Sequence, residues 1–166
     1  MTQGAQAILE KYDLPTGFRI ISGGQSGADT AALDWALAHD VQHCGWCPKG
    51  RRSEDGTIPA RYLLDETPSA NYLQRTEWNV RDSDATLIFT LSDDLDGGSK
   101  RTLQFAEKLG RPCLQFRPGV HEKFVARFLV FNKVTTLNVA GKRESAAPGI
   151  YRFVYDTLNR VLKASA

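Results

Sequence analysis

The chain has little of what marks the specialised classes of protein. No stretch is apolar for long enough to cross a bilayer, which excludes a helical membrane protein. Cysteines number three, an odd and small count that builds no disulfide framework. The formal net charge is +2, too little to argue for a nucleic-acid partner, so any basic surface must be local. The first ten residues carry neither the basic start nor the apolar run of a signal peptide, and the expected setting is the cytoplasm. What remains is ordinary: 166 residues, 42% hydrophobic and 24% charged, enough for one domain with a sizeable core.

Strand-like and helix-like patterns alternate along the chain, without an internal repeat. The spacing predicts an N-terminal helix over 3–12, closed by Leu14-Pro15-Thr16-Gly17, so that 1–17 forms an extension to the domain. Strands are expected at 19–22, 42–46, 85–90, 112–116 and 136–139. Helices are expected at about 26–39, 67–82, 99–109, 121–131 and 149–163. A loop from Cys47 to about Pro68 is long for a compact domain, and such loops are often functional. The alternation implies a single-domain, Rossmann-like three-layer α/β sandwich with a mainly parallel sheet. In such sheets ligands bind beyond the strand C-termini, where the strand order reverses. That rule selects the loops 22–29, 47–61, 91–101 and 139–149.

Each of those loops carries anion chemistry. Gly23-Gly24-Gln25-Ser26-Gly27 turns a strand into a helix N-terminus, where free N–H groups and the helix dipole favour a phosphate. Ser26 and Asp29 also fit a capping box, and capping leaves part of the N–H set free. Asp29 argues against a dense cluster of phosphates, since its charge would repel them. Lys49, Arg51 and Arg52 make the densest basic cluster in the chain, a set suited to oxyanions. Gly97-Gly98-Ser99 opens a second glycine-rich helix start at the same edge, and Lys142 and Arg143 add two cations there. On the second helix Tyr72, Arg75, Thr76, Asn79 and Asp82 share one polar face, able to hold a heterocycle or a phosphate. Cys44-Gly45-Trp46-Cys47 has redox spacing, but Pro48, Lys49 and Gly50 follow in place of a helix start, which favours ordinary thiols at a strand edge. No nucleophile–base pair and no metal-ligand spacing emerges, which predicts a binding protein in place of an enzyme.

Five motifs in order carry a family resemblance. They are Ile21-Ser-Gly-Gly-Gln-Ser-Gly-Ala-Asp29, Gly45-Trp-Cys-Pro-Lys-Gly-Arg-Arg52, Arg75-Thr-Glu-Trp-Asn-Val-Arg-Asp-Ser-Asp84, Gly97-Gly-Ser99, and Leu137-Asn-Val-Ala-Gly141 followed by Ala147-Pro-Gly-Ile150. From about residue 18 onward the chain resembles the family named putative molybdenum carrier. That family lies in the Rossmann-like superfamily that also holds the lysine-decarboxylase-like phosphoribohydrolases and the DNA-processing protein DprA. The resemblance implies a protein that binds molybdenum cofactor (molybdopterin) as cargo, protecting or delivering it to molybdoenzymes, with a homo-oligomeric habit. Carried over by motif, Gly23, Gly24, Gln25, Ser26 and Gly27 would take the phosphate end with Gly97, Gly98 and Ser99. Lys49, Arg51, Arg52, Arg75, Thr76 and Asn79 would line the rest. Hydrolytic relatives carry a glutamate where this chain has Gln104, and a neutral amide supplies neither charge nor base. A nucleotide or nucleotide derivative, bound as a signal or hydrolysed as by a phosphoribohydrolase, stands as the alternative ligand.

Overall fold

A computed structural model describes residues 11–164. Five short strands form its main sheet: β2 (Arg19–Ile21), β3 (Gln42–Cys44), β8 (Ala85–Phe89), β9 (Cys113–Phe116) and β10 (Thr136–Gly141). Their spatial order is β3-β2-β10-β8-β9, and every pairing is parallel. Side chains alternate across this sheet, as a pleated strand requires. Ala85, Leu87, Phe89, Leu137 and Val139 join the main apolar core, in which α1 (Ala28–Ala38), α4 (Lys123–Phe131) and α5 (Ile150–Val161) bury their inner faces. Thr86 and Asn138 point the other way and bond to each other at 3.2 Å, beneath α2 (Tyr72–Arg81) and α3 (Gly97–Leu109). The result is the expected three-layer α/β sandwich.

Small residues set how closely these layers approach. Ala28, Ala31, Ala32 and Ala36 are fully buried on α1, and a Cβ at Gly141 would meet the Ala28 methyl at 2.6 Å. On α5, Ile150, Val154, Leu158 and Val161 recur at helical spacing and are all buried.

Three outcomes differ from the sequence expectation. Residues 3–10 of the expected N-terminal helix lie outside the described residues. Its last turn is not helical, because Tyr12–Asp13 forms β1, paired in parallel with β11 (Leu162–Lys163). Tyr12 is anchored there by its hydroxyl, which donates to the Val134 carbonyl at 2.6 Å. The second helix begins at Tyr72 and not at 67, with Asn71 accepting from Leu73 N–H as its cap. The long loop has architecture of its own: β4 (Trp46–Cys47) pairs with β7 (Asp65–Glu66), and β5 (Arg52–Ser53) with β6 (Gly56–Thr57). Leu33 of α1 packs with Cys47, Ile58, Tyr62 and Leu64 in a small second core under this lobe.

The topology places the site. The chain leaves β2 through α1 toward β3 on one flank and leaves β8 through α3 toward β9 on the other. β10 lies between them, so the loops after β2 and β8 diverge above its C-terminal end. A crevice at such a point follows from the strand order alone.

Candidate functional site

Above β10 lies a crevice of about 600 Å³. Gln25 comes from the loop after β2; Tyr72, Leu73, Arg75 and Thr76 from α2; Gly97, Gly98, Ser99 and Arg101 from α3; Lys142 and Arg143 from the loop after β10. Four of these side chains are cationic. Two have acidic partners: Arg75 reaches Asp29 at 3.4 Å, and Lys142 reaches Asp96 at 2.8 Å. Among the described residues Arg101 and Arg143 form no ion pair. The crevice is therefore locally positive in a chain whose net charge is only +2.

The two glycine-rich helix starts are not equivalent. The α3 start is open: a Cβ built at Gly97 or Gly98 meets no atom within 4 Å, and Gly97 takes the left-handed conformation, φ +48°. The α1 start supplies its own anion. Asp29, 4% exposed, accepts the Gln25 backbone N–H at 3.2 Å and pairs with Arg75. Burial pushes the Asp29 carboxyl up, against the opposing pull of Arg75 and of the Gln25 and Gly23 N–H groups. Burial likewise pulls Arg75 down, with Asp29 opposing it. Further N–H groups are taken by neighbouring carbonyls, Ala28 by Lys142 and Thr30 by Gln25. The expected capping box is not formed. Gly27 is the N-cap, while the Ser26 hydroxyl bonds to Glu54 and accepts from Glu144 N–H.

The sequence-predicted residues accordingly divide. Gln25, Arg75, Thr76, Gly97, Gly98 and Ser99 come together around the crevice. Gly23 sits at its inner end, where a Cβ would collide with the Arg75 guanidinium. Gly24, Ser26 and Gly27 line a different cavity, about 510 Å³, on the far side of the loop with Asp34, Arg61, Tyr62 and Tyr151. There the Asp34 carboxylate accepts from the Tyr62 hydroxyl at 2.5 Å and the Tyr151 hydroxyl at 2.6 Å. Gly27 is glycine because the chain passes against the 142–144 backbone, where a Cβ would lie 2.6 Å from the Lys142 oxygen.

The basic residues Lys49, Arg51 and Arg52 are not among those lining the crevice. Arg51 donates to the carbonyls of Ile58, Pro59, Tyr62 and Leu64, and so holds the lobe together from within. Arg52 lies in the β5–β6 hairpin, where its carbonyl accepts from Gln25 Nε2. The Lys49 N–H donates to Ser69 O at the base of the lobe. Asn79 uses both ends of its amide on the Trp46 backbone, at 2.7 and 2.9 Å, fixing β4 to α2. Lys142, Arg143 and Arg101 take the place the basic loop was expected to fill. Their signal in the sequence was position after a buried strand, and not density of charge.

The thiols are quiet. Burial raises Cys44 and Cys47 and pushes Cys113 up to about 12, opposite to what a redox pair needs. Among the described residues no group of three His, Cys, Asp or Glu side chains stands together as a metal site, and no helix is long and apolar enough to cross a membrane.

Comparison with known proteins agrees with this architecture. The model of the circularly permutated YpsA SLOG family (cpYpsA) matches residues 20–162. The crystal structure of the putative molybdenum carrier protein from Syntrophus aciditrophicus SB is 42% identical, covers 85% of this chain and 92% of its own, and superposes with a TM-score of 0.83. No curated protein matches.

Proposed function

The chain belongs to the circularly permutated YpsA SLOG family, and we propose that it holds molybdenum cofactor, a phosphorylated pterin, as cargo in the crevice above β10. One observation carries the reading. Four buried polar side-chain atoms lack a hydrogen-bond partner among the described residues, and three of them, on Gln25, Arg75 and Ser99, belong to residues lining this crevice. Folded proteins leave few such groups, because each costs about 1–3 kcal/mol when unpaired. Three in one place are best accounted for as groups kept for a ligand.

The surrounding chemistry supports the same class. Arg101 and Arg143 suit a phosphate beside the open start of α3, where backbone N–H groups and the helix dipole also favour an anion. Tyr72, 44% exposed at the rim, offers a face to a flat ring. The protein of Syntrophus carries the name of a molybdenum carrier, which supports the cofactor as cargo. The residues would grip, orient and shield it. The buried carboxyl at the inner end, Asp29, is already engaged by Gln25 N–H and Arg75, and Gln104 is exposed on α3 and not among the residues lining the crevice. The reading is of a carrier and not a catalyst, one domain in the cytoplasm, homo-oligomeric, with molybdoenzymes as recipients.

The test is protection. Purified protein mixed with cofactor released from a molybdoenzyme should slow its oxidation, followed by fluorescence of the oxidised pterin. Protection no better than albumin gives would sink the proposal. The half-exposed tyrosine over a site sized for few phosphates also suits a nucleoside monophosphate. A thermal-shift screen with purine nucleotides, and chromatography for released base, separates that reading from the first.

A further inference from the structure

The three unpartnered atoms of the crevice differ in what they can accept as a partner. Arg75 Nε–H only donates, Ser99 Oγ does either, and Gln25 Oε1 only accepts. The Gln25 amide is fixed in this orientation. Its Nε2 donates to the Arg52 carbonyl at 3.0 Å, and turning the amide over would set oxygen against oxygen. The positive field of Arg75, Arg101 and Arg143 draws in an anion. Yet a fully ionised oxyanion has acceptors alone, and would leave the Gln25 oxygen, in a side chain 4% exposed, without a donor.

We infer that Gln25 determines specificity in this crevice, selecting an anion that also carries the N–H and C=O edge of a lactam ring over a bare oxyanion such as molybdate. The inference rests on the crevice being the ligand site proposed above. The ring N–H gives to Gln25 Oε1, and the adjacent ring carbonyl takes from Arg75 Nε. Tyr72, whose ring lies 5.6 Å from the Arg75 guanidinium, supplies the flat surface beside them. The anionic end is then left to Arg101, Arg143 and the α3 start. Gln25 Oε1 and Arg75 Nε are both buried in the free protein, so a ring reaches them only as the Gln25 and Arg75 side chains shift toward it. A guanine nucleotide and a phosphorylated pterin share this lactam edge, and the choice between them is part of the test.

Isothermal titration calorimetry with four probes decides it: sodium molybdate, ribose 5-phosphate, guanosine 5′-monophosphate and 6-hydroxymethylpterin monophosphate. At least one ring phosphate should bind tenfold or more tighter than ribose 5-phosphate and molybdate, and which one does so tells nucleotide from pterin. In Gln25→Met that margin should vanish while ribose 5-phosphate keeps its affinity within about twofold. If Gln25→Met does not fold, Gln25→Asn, which retracts the amide by one methylene, takes its place. Molybdate binding as tightly as the ring phosphates overturns the inference. So does a ring preference that survives the substitution, or an equal loss for ribose 5-phosphate. If none of the four probes binds, the crevice reading itself fails, and the inference falls with it.

Discussion

Arg51 and Arg52 are neighbours in sequence and unlike in what they do. Arg51 spends its guanidinium on four carbonyls within 13 residues of itself, in a left-handed backbone conformation of φ +53°. Arg51→Ala should therefore lower stability by about 2–3 kcal/mol, read as a shifted urea midpoint, and leave the crevice's anion affinity almost unchanged. Loss of binding without loss of stability would contradict this assignment. The glycines of the first loop divide similarly. At Gly24 the backbone is left-handed, φ +77°, and a Cβ would lie 2.7 Å from the Leu64 side chain. Gly24→Val should thus disrupt the lobe's small core and lower the urea midpoint, although the sequence placed Gly24 at the phosphate end of the ligand. Gly23 has no such backbone demand, and its Cβ would strike the Arg75 guanidinium. Gly23→Ala should displace Arg75 from the buried Asp29, weaken binding of a ring phosphate several-fold in calorimetry, and lower the melting temperature as well. Glycine identity was legible in the sequence. What each missing Cβ makes room for was not, because the nearest atoms belong to Leu64 and Arg75, far along the chain.

At the scale of elements, the sequence offered two glycine-rich helix starts, with Asp29 as its one hint that they differ. The α1 start is filled by its own Asp29, and the α3 start is open, a difference that depends on side-chain direction. The β5–β6 hairpin is the other element the sequence hid. Its turns are short, its residues polar, and its register depends on contacts with distant loops. Glu54 straps it down, accepting from the hydroxyls of Ser26 and Ser145 and from Ser145 N–H. Those bonds hold the Glu54 carboxyl below the ordinary glutamate range. A depressed folded pKa means that the strap contributes fully above the unfolded pKa and is lost as pH falls through the folded one. A carbon-13 NMR titration of the Glu54 carboxyl should give a midpoint below the ordinary glutamate value of about 4.3. In Ser145→Ala the midpoint should move back up. A midpoint at or above the ordinary glutamate value would show that the hairpin is not tied in this way.

For the molecule as a whole, four cations converge on one crevice in a chain of net charge +2, so anion binding should depend on salt more than the net charge suggests. Affinity for guanosine 5′-monophosphate or a pterin phosphate should fall several-fold between about 0.02 and 0.5 M ionic strength, over which the screening length contracts from beyond 20 Å to a few ångströms. An affinity flat across that range would remove the phosphate from the positive end of the crevice. The sequence by itself determined the order of the main strands and helices, since β-branched runs and helical apolar spacing are local signals. It also determined that ligand chemistry gathers at the strand C-termini, since parallel strands all end on one side. Only the tertiary structure decided which residues meet there. Strand order β3-β2-β10-β8-β9 brings Lys142 and Arg143 over the sheet, while the denser cluster of Lys49, Arg51 and Arg52 stays on the lobe, Arg51 turned inward and the other two exposed. Charge density is a property of neighbours in sequence, whereas a binding site is built by neighbours in space.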